Sequence, residues 1–196
     1  LQQLNNARLE GALPAVGKQG VARSAANIDP SWIGTDAAAL FTSTSGRPTT
    51  LLNDADAAGL AEVTFGAGKG VSGAILVATL GTGIGAAILN DGVLLPNTEL
   101  GHLEIKGKDA ESQASAAYME KHHLTYKRWA KRLQAYDETL ERLFWPNLFV
   151  VGGGISRNHD KFLPLLDLNT PIVPAALRNE AGIIGAAYVA LRAAGK

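Results

Sequence analysis

The sequence predicts an α/β fold in which buried strands alternate with amphipathic helices. The clearest strand is Ala74–Leu80, a continuous apolar run of the kind that suits a strand covered on both faces. The clearest helix follows Thr125, because apolar side chains recur every three or four positions from Trp129 onward until Pro146 ends the pattern. Glycine supplies 22 of the 196 residues, which is above average and indicates many tight turns.

The composition limits the class of protein. Lys and Arg number 18, Asp and Glu number 18, and cysteine is absent. Zero net charge argues against a general nucleic-acid or acidic-membrane binder. The lack of cysteine excludes a disulfide framework, a cysteine zinc site and a thiol nucleophile. No apolar run is long enough to span a bilayer and no basic-then-apolar leader opens the sequence, so we expect a soluble, cytoplasmic protein with no nucleic-acid or membrane partner.

The remaining elements follow from local signals. β-Branched and apolar residues flanked by turn residues predict short strands, and capping residues before alanine-rich or periodic apolar segments predict helices. We predict strands in residues 49–52, 86–89, 93–95, 147–151 and 171–173, and a turn or hairpin in 16–24. We predict helices in residues 1–9 (weakly), 55–65, 112–119 and 180–193, and one from a Thr35 cap to Phe41.

Two glycine-rich turns follow predicted strands. Gly81-Thr82-Gly83-Ile84-Gly85 could offer backbone N–H groups and a hydroxyl to an anion, but it fits neither the dinucleotide fingerprint nor the Walker pattern. A tight inter-strand turn explains it about equally well. Gly152-Gly153-Gly154 either presents the N-terminus of a following helix to a phosphate or allows that helix to pack closely on the strand. Together the two turns favour a phosphate-binding cleft.

Two sets of polar residues are candidates for chemistry. Asp54 follows a predicted strand and could accept a proton from a substrate hydroxyl while Asn53 orients it, although capping of the next helix explains the aspartate somewhat better. A polar loop further on has too few histidines for structural zinc. It therefore favours either a cradle of donors and acceptors around a sugar or, with about equal weight, a solvated loop. This second set is Glu99, His102, Glu104 and Glu111.

A basic run leads into the strongest helix. Its helical members lie opposite the apolar face that contains Trp129 and Leu133, which favours a plain solvated surface. A local positive strip could nevertheless attract a polyanion in spite of the neutral total charge. The run comprises Lys121, His122, His123, Lys127, Arg128, Lys131 and Arg132.

From Gly20 to its end the sequence resembles the ROK family of sugar kinases, and within it the bacterial polyphosphate glucokinases of the polyphosphate/ATP glucomannokinase type. The resemblance implies a two-lobed α/β fold of the actin-like ATPase, or ribonuclease H-like, class. It places residues 1–54 and 180–196 in a partial N-terminal lobe and residues 55–179 in a C-terminal lobe, which would meet near Asp54. The matching segments are SWIGTDAAALF (31–41), LLNDADAAGLAEVTFGAG (51–68), LGTGIGAAILNDGVLLPNTELGHLEIKGKDAE (80–111), LFVVGGGIS (148–156) and FLPLLDLNTPIVPAALRNEAGIIGAA (162–187).

The resemblance also assigns roles to the candidate residues. It implies a homodimeric kinase that transfers a phosphoryl group from inorganic polyphosphate or ATP, with Mg²⁺, to the 6-hydroxyl of glucose or mannose. Asp54 would be the general base. No metal-binding side chain is implied, since the family's zinc-binding cysteines are absent from residues 106–111. Asn53, Glu99, His102 and Glu111 would bind the sugar, whereas Gly81, Thr82, Gly83, Gly153 and Gly154 would bind the phosphoryl donor.

The first residues depart from the family pattern. The Asp-x-Gly-Gly-Thr turn that binds donor phosphates in the family does not occur in this sequence, and Pro14-Ala15 stands where a Pro-Gly turn is usual. We therefore expect an incomplete N-terminal lobe and weakened donor binding, because phosphoryl transfer depends mostly on positioning and charge stabilisation. The alternative expectation is a catalytically crippled kinase remnant or a non-enzymatic sugar-binding protein.

Overall fold

The apolar run at residues 74–80 forms the centre of a five-stranded sheet. The computed structural model of the chain describes residues 9–25 and 28–193. Its strands are β1 (Leu9–Leu13), β2 (Gly17–Lys18), β3 (Val21–Ala22), β4 (Thr49–Asn53), β5 (Ala74–Leu80), β6 (Ile84–Asn90), β7 (Val93–Leu95), β8 (Glu104–Ile105), β9 (Lys108–Asp109), β10 (Leu148–Gly152) and β11 (Ile172–Pro174). Its helices are α1 (Ala37–Ser45), α2 (Asp54–Phe65), α3 (Glu111–Ala114), α4 (Ala116–Lys121), α5 (Tyr126–Phe144) and α6 (Ala181–Ala193).

The large sheet is mixed, with the order β11-β10-β5-β6-β7. Strands β11, β10 and β5 are parallel, whereas β6 and β7 follow β5 in antiparallel turns. A separate two-stranded sheet pairs β1 with β4 in parallel, and β2–β3 and β8–β9 are short antiparallel hairpins. This arrangement confirms the predicted α/β class and the predicted turn or hairpin near residues 16–24.

Helices cover both faces of β5. Leu76 belongs to a core formed with α5, where Trp129 is fully buried. Its neighbours Ile75 and Val77 belong to a second core, against which Leu60 of α2 packs. Because successive side chains of a strand point to opposite faces, a strand between two helical layers has to be apolar at every position. This is the physical reason for the uninterrupted apolar run in the sequence.

Helix α6 returns to the part of the chain that contains β1 and β4. It packs along α2 and also reaches β1, and its Ala181 shares a small apolar cluster with Ala58 and Ala61 of α2. The division into lobes at residues 54 and 180 stays a prediction. Within the described ranges, no helix has the length and apolarity needed to cross a bilayer.

Most predicted elements are confirmed, and three local predictions were wrong. Helix α1 starts after Asp36 rather than Thr35, because the Asp36 carboxylate accepts a hydrogen bond from the Ala39 N–H at 2.9 Å. The single helix predicted at 112–119 is instead α3 and α4, because Ser115 is extended and caps α4. The helix predicted after the second glycine turn is a 3-10 segment, Gly154–Lys161, interrupted at Asn158.

The predicted N-terminal helix meets the limit of the described chain. Residues 1–8 lie outside the described residues, and the remaining position, Leu9, begins strand β1.

Candidate active site

The carboxyl ends of β4, β5 and β10 border one open cleft of about 370 Å³. Ligands of open α/β sheets usually bind at such an edge. The cleft brings together the candidate residues that the sequence analysis chose from separate segments, apart from Gly154. They are Asn53, Asp54, Gly81, Thr82, Gly83, Glu99, His102, Glu111 and Gly153.

Asp54 is not the cap of α2, as the local pattern had favoured. Asn53 is the cap: its Oδ1 accepts hydrogen bonds from the N–H groups of Ala55 at 2.9 Å and Asp56 at 3.2 Å. Its Nδ2 donates to the Ala15 carbonyl at 3.3 Å, which leaves one amide hydrogen for another partner. Because Asn53 satisfies the helix terminus, the Asp54 carboxylate is available to the cleft.

The Asp54 side chain is exposed on the cleft wall. The surrounding walls nevertheless desolvate it, and this burial raises the pKa of Asp54 above its ordinary value. The Ala55 N–H opposes that effect by donating a hydrogen bond to Oδ1 at 2.8 Å. A carboxylate with a raised pKa is a better proton acceptor than an ordinary aspartate.

Backbone turns form one wall of the cleft. Residues 81–83 are a three-residue turn between antiparallel β5 and β6, closed by a hydrogen bond from the Gly81 N–H to the Gly83 carbonyl at 3.0 Å. The inter-strand turn is therefore confirmed, and the same residues line the cleft; binding of an anion by this turn stays a prediction. Thr82 is exposed on this turn.

The second glycine turn lies beside the first because β10 is the parallel neighbour of β5, with Gly152 paired to Thr79. Gly153 has a φ of +81°, and a Cβ atom there would collide with the backbone of Leu80. Its conformation thus depends on glycine for both torsional and steric reasons. Gly154 lies outside the cleft and borders a neighbouring space of about 290 Å³, which it shares with Gly81 and Thr82.

Polar side chains form the opposite wall. Glu111 Oε2 accepts a hydrogen bond from the Ile84 N–H at 2.8 Å, so the glutamate is tied to the start of β6. His102 Nδ1 lies 2.8 Å from Asp109 Oδ2, and His102 Nε2 lies 3.8 Å from Glu99 Oε2. These contacts fix three of the side chains that the resemblance assigns to the sugar.

Electrostatics couple the members of this wall. The hydrogen bond with Asp109 raises the pKa of His102. Burial lowers this pKa, whereas the charges of the neighbouring carboxylates raise it further. Burial raises the pKa of Glu99; the nearby His102 opposes this rise, whereas Asp54 and Glu111 reinforce it. The wall therefore combines carboxylate acceptors with an imidazole whose protonated form is favoured by its neighbours.

Asp56 does not line the cleft, but it is a buried supporting residue that the sequence analysis missed. It is 1% exposed, its Oδ2 accepts a hydrogen bond from the Asn97 N–H at 2.8 Å, and its Oδ1 is buried without a partner in the described part of the chain. Asn97 Oδ1 in turn accepts from the Gly17 N–H at 3.0 Å. This chain of contacts joins α2 to the loop before Glu99 and to the β2 segment.

Other residues of the site could not be found from a local motif. Asp109, which orients His102, lies inside the matching segment 80–111, but no role was assigned to it there. Ser24, which lines the cleft, lies in none of the matching segments. Conversely, Glu104 was grouped with the polar loop, but it lies on β8 and outside the cleft lining. Within residues 9–25 and 28–193, no group of three or more His, Asp or Glu side chains is arranged to hold a metal ion.

Comparisons with known proteins show two similar kinases. The polyphosphate glucokinase of Mycobacterium tuberculosis is 51% identical over 179 residues, which cover 91% of this chain and 68% of that protein. The crystal structure of the inorganic polyphosphate/ATP-glucomannokinase from Arthrobacter sp. strain KM superposes with a TM-score of 0.94 at 53% identity, covering 96% of this chain and 75% of that one.

A more distant structure shares the fold. The ROK family glucokinase from Streptomyces griseus, solved in complex with glucose and AMPPNP, is 23% identical with a TM-score of 0.81, covering 95% of this chain and 82% of that one. These likenesses confirm the actin-like ATPase fold that the resemblance implied. The ROK family model itself matches residues 12–123. By sequence, fold and the residues gathered in its cleft, the chain belongs to the ROK family.

Proposed function

We propose that this chain is a sugar kinase that transfers a phosphoryl group from inorganic polyphosphate or ATP to the 6-hydroxyl of glucose. The observation that carries the proposal is the position of Asp54, an exposed carboxylate between a wall of polar side chains and two glycine turns. The M. tuberculosis and Arthrobacter relatives are each more than half identical to this chain. Their names support polyphosphate or ATP as the donor and glucose as the acceptor.

Asp54 would act as the general base. As the 6-hydroxyl oxygen attacks the terminal phosphorus, its proton passes to the Asp54 carboxylate. The new P–O bond forms to the sugar while the bond to the leaving phosphate, of ADP or of the shortened polyphosphate, breaks. Burial raises the pKa of Asp54, which favours proton transfer because it brings the base closer to the operating pH.

The two walls would position the reactants. Glu99, His102 and Glu111 would hold the sugar hydroxyls, and Asn53 would contribute its remaining amide hydrogen while it holds the start of α2. On the donor side, the Thr82 hydroxyl and the turn amides would contact the transferred phosphoryl group, with Gly153 allowing the donor to approach the sheet edge. Such positioning and charge stabilisation supply most of the catalysis in phosphoryl transfer. Gly154 would contact the donor from the adjoining space.

Mg²⁺ would accompany the donor. This ion usually binds through one or two carboxylates together with substrate phosphates rather than in an all-protein cage. The donor side of the cleft fits that mode, because it presents the exposed Thr82 hydroxyl and glycine backbone rather than carboxylates, so the donor phosphates and water would supply most of the ion's ligands. When bound, Mg²⁺ would neutralise charge on the donor phosphates.

The remaining expectations are also proposals. The glucomannokinase name of the Arthrobacter relative supports mannose as a second acceptor. A homodimer and a cytoplasmic location stay predictions, to be checked by light scattering and by cell fractionation.

Asp54→Asn tests the proposal. It removes the base but keeps a polar side chain of the same shape, so we expect kcat to fall roughly 10²- to 10⁴-fold while glucose affinity, measured by calorimetry, changes little. The control is Asp91→Asn, an equal change of charge in the β6–β7 turn, where asparagine tolerates the φ of +47°. Turnover that survives Asp54→Asn would remove this residue from the role of base. Glucose binding without product from either donor would favour the non-catalytic sugar-binding alternative.

A further inference from the structure

We propose that a basic groove next to the cleft binds the distal part of an inorganic polyphosphate chain while its terminal phosphate occupies the cleft. The inference rests on the proposed function, because it concerns how that function's donor is held. The groove has a volume of about 330 Å³ and lies between the β8–β9 hairpin, α3 and α5. Its cationic lining consists of Lys106, Lys108, Lys131 and Arg132.

The first argument is the charge of the groove. Four cationic side chains line it, and its lining contains no Asp or Glu; Glu104 and Glu138 lie in an adjoining space that Lys106 also borders. In the described part of the chain, no carboxylate forms an ion pair within 4.0 Å with any of the four cations. Like charges gathered in one concavity repel each other and raise the local concentration of anions. Since the whole chain has no net charge, this field is a local feature.

The second argument is the backbone at Lys106. Lys106 has a φ of +53° and Gly107 a φ of +75° at the tip of the β8–β9 hairpin. Hairpin tips with two positive φ angles strongly favour Asn-Gly, and a lysine in the first position is strained. The local fold would be more stable with asparagine there. A role for the ammonium group in binding would explain the lysine.

The third argument is the partial preorganisation of the groove. Arg132 is half-buried; it donates a hydrogen bond to Gln113 at 3.1 Å and its guanidinium lies 4.8 Å from the centre of the Tyr118 ring. One cation is thus fixed in place, whereas the three lysines are exposed and free to follow an extended, flexible anion. The sequence-based expectation of a plain solvated surface was wrong for Arg132.

The groove and the cleft share one short segment as a wall. Glu111 of α3 faces the cleft, whereas Ala110, Gln113 and Ala114 line the groove. At the base of the β8–β9 hairpin, Asp109 holds His102 of the cleft. The same segment touches the donor-side turn, because the Ala117 N–H of α4 donates to the Gly81 carbonyl at 3.1 Å. A long polyphosphate could therefore extend from that turn over this segment into the groove, whereas a short donor would occupy the cleft alone.

The test is the double variant Lys106→Ala/Lys108→Ala, and its control is Lys127→Ala/Arg128→Ala. Both remove two positive charges from exposed positions, but the control residues lie outside the groove lining. The measured quantity is the Kd of long-chain polyphosphate and of tripolyphosphate, by calorimetry with the full chain. This readout does not depend on turnover.

We expect the groove variant to weaken binding of long-chain polyphosphate about 5- to 20-fold, as the loss of two partly solvated ionic contacts implies, with a shallower salt dependence. Tripolyphosphate affinity should change less than about 2-fold, and so should both affinities in the control variant.

Equal effects of the two double variants on long-chain polyphosphate would overturn the proposal. So would a single-stranded oligonucleotide that binds as tightly and loses affinity in the same variant, because the groove would then be a general polyanion site. Selective loss of polyphosphate binding in a chain that phosphorylates no glucose would uphold the groove but refute the proposed kinase function.

Discussion

The two walls of the cleft are built in different ways. The donor-side wall consists of backbone: residues 81–83 close a turn at the end of β5, and Gly153 follows the neighbouring strand. The opposite wall consists of side chains from residues 96–111, a segment with only short helical and strand pieces. It is held by contacts such as those between Asp56 and Asn97 and between Glu111 and Ile84.

This difference indicates what each wall tolerates. The sheet ladder and close backbone packing fix the position of the glycine turns, so a single added methyl group can disturb them. Individual polar contacts fix the other wall, so we expect it to respond to changes of charge and pH that leave the fold intact. The following variants probe this contrast, from the largest expected effect to the smallest.

Gly153→Ala should be the most damaging change. The new Cβ atom would collide with the Leu80 backbone at a φ of +81°, and strained φ together with overpacking costs about 2–4 kcal/mol of unfolding free energy. Urea denaturation measures the loss. Gly154→Ala is the control, since no atom lies within 4 Å of a Cβ there. If both variants were equally stable, the donor-side wall would not depend on close backbone packing.

Asp56→Asn should change the pH dependence of stability. Burial raises the pKa of Asp56 to about 6 from 3.8; the Asn97 N–H opposes this rise, and Glu99 and Asp54 reinforce it. Between pH 3.8 and about 6, Asp56 is therefore protonated in the folded state but ionised in the unfolded state. The aspartate thus lowers the free energy of unfolding as the pH rises from about 4 to 6. Asparagine keeps an oxygen acceptor for Asn97 but does not titrate.

We compare the free energy of unfolding of the Asp56→Asn variant with that of the parent. The difference in favour of the variant should increase by on the order of 2 kcal/mol between about pH 4 and 6 and then level off. Unpaired amide hydrogens would add a constant cost, which leaves the slope unchanged. Urea titrations between pH 4 and 8 measure this difference, with Asp91→Asn in the exposed turn as the control. Parallel curves for parent and variant would show that Asp56 does not titrate in this range.

Asp109→Asn should have the smallest effect. It weakens the 2.8 Å contact that chiefly raises the pKa of His102, so this pKa should fall, as followed by NMR of the imidazole protons. Weaker orientation of the ring should raise the KM for glucose roughly 3- to 10-fold. Glu104→Gln on β8 removes a neighbouring charge outside the cleft and should leave both quantities unchanged. An unaltered His102 pKa in Asp109→Asn would refute this coupling.

Much of the fold was predictable because its signals are local. The apolar run of β5 follows from burial between two helical layers, and the Thr125 cap marks the start of α5, where the Thr125 hydroxyl accepts from the Arg128 N–H at 3.3 Å. Errors arose where two adjacent residues could serve the same purpose, as at Thr35 and Asp36. They also arose at Ser115, whose cap interrupts what would otherwise be one helix.

The candidate site was predictable to the extent that its residues fall within family motifs. Asp54, Glu99 and His102 belong to such motifs, and the cleft contains all three. Asp56 and Asp109 also lie inside matching segments, but their contacts with Asn97 and His102 follow from the fold and not from a motif that assigns them a role. Sequence spacing alone cannot show that such groups are in contact.

The order of residues by itself determined where strands and helices form, because backbone preferences, caps and apolar periodicity act over a few neighbouring positions. It also supplied the carboxylates and glycines from which a phosphoryl-transfer site can be built. Only the tertiary structure decided that Asp56 contacts the loop before Glu99, that Arg132 is held against Tyr118, and that cations from two separate segments line one groove. Those outcomes depend on distances between segments far apart in the chain, which packing sets and local sequence does not encode.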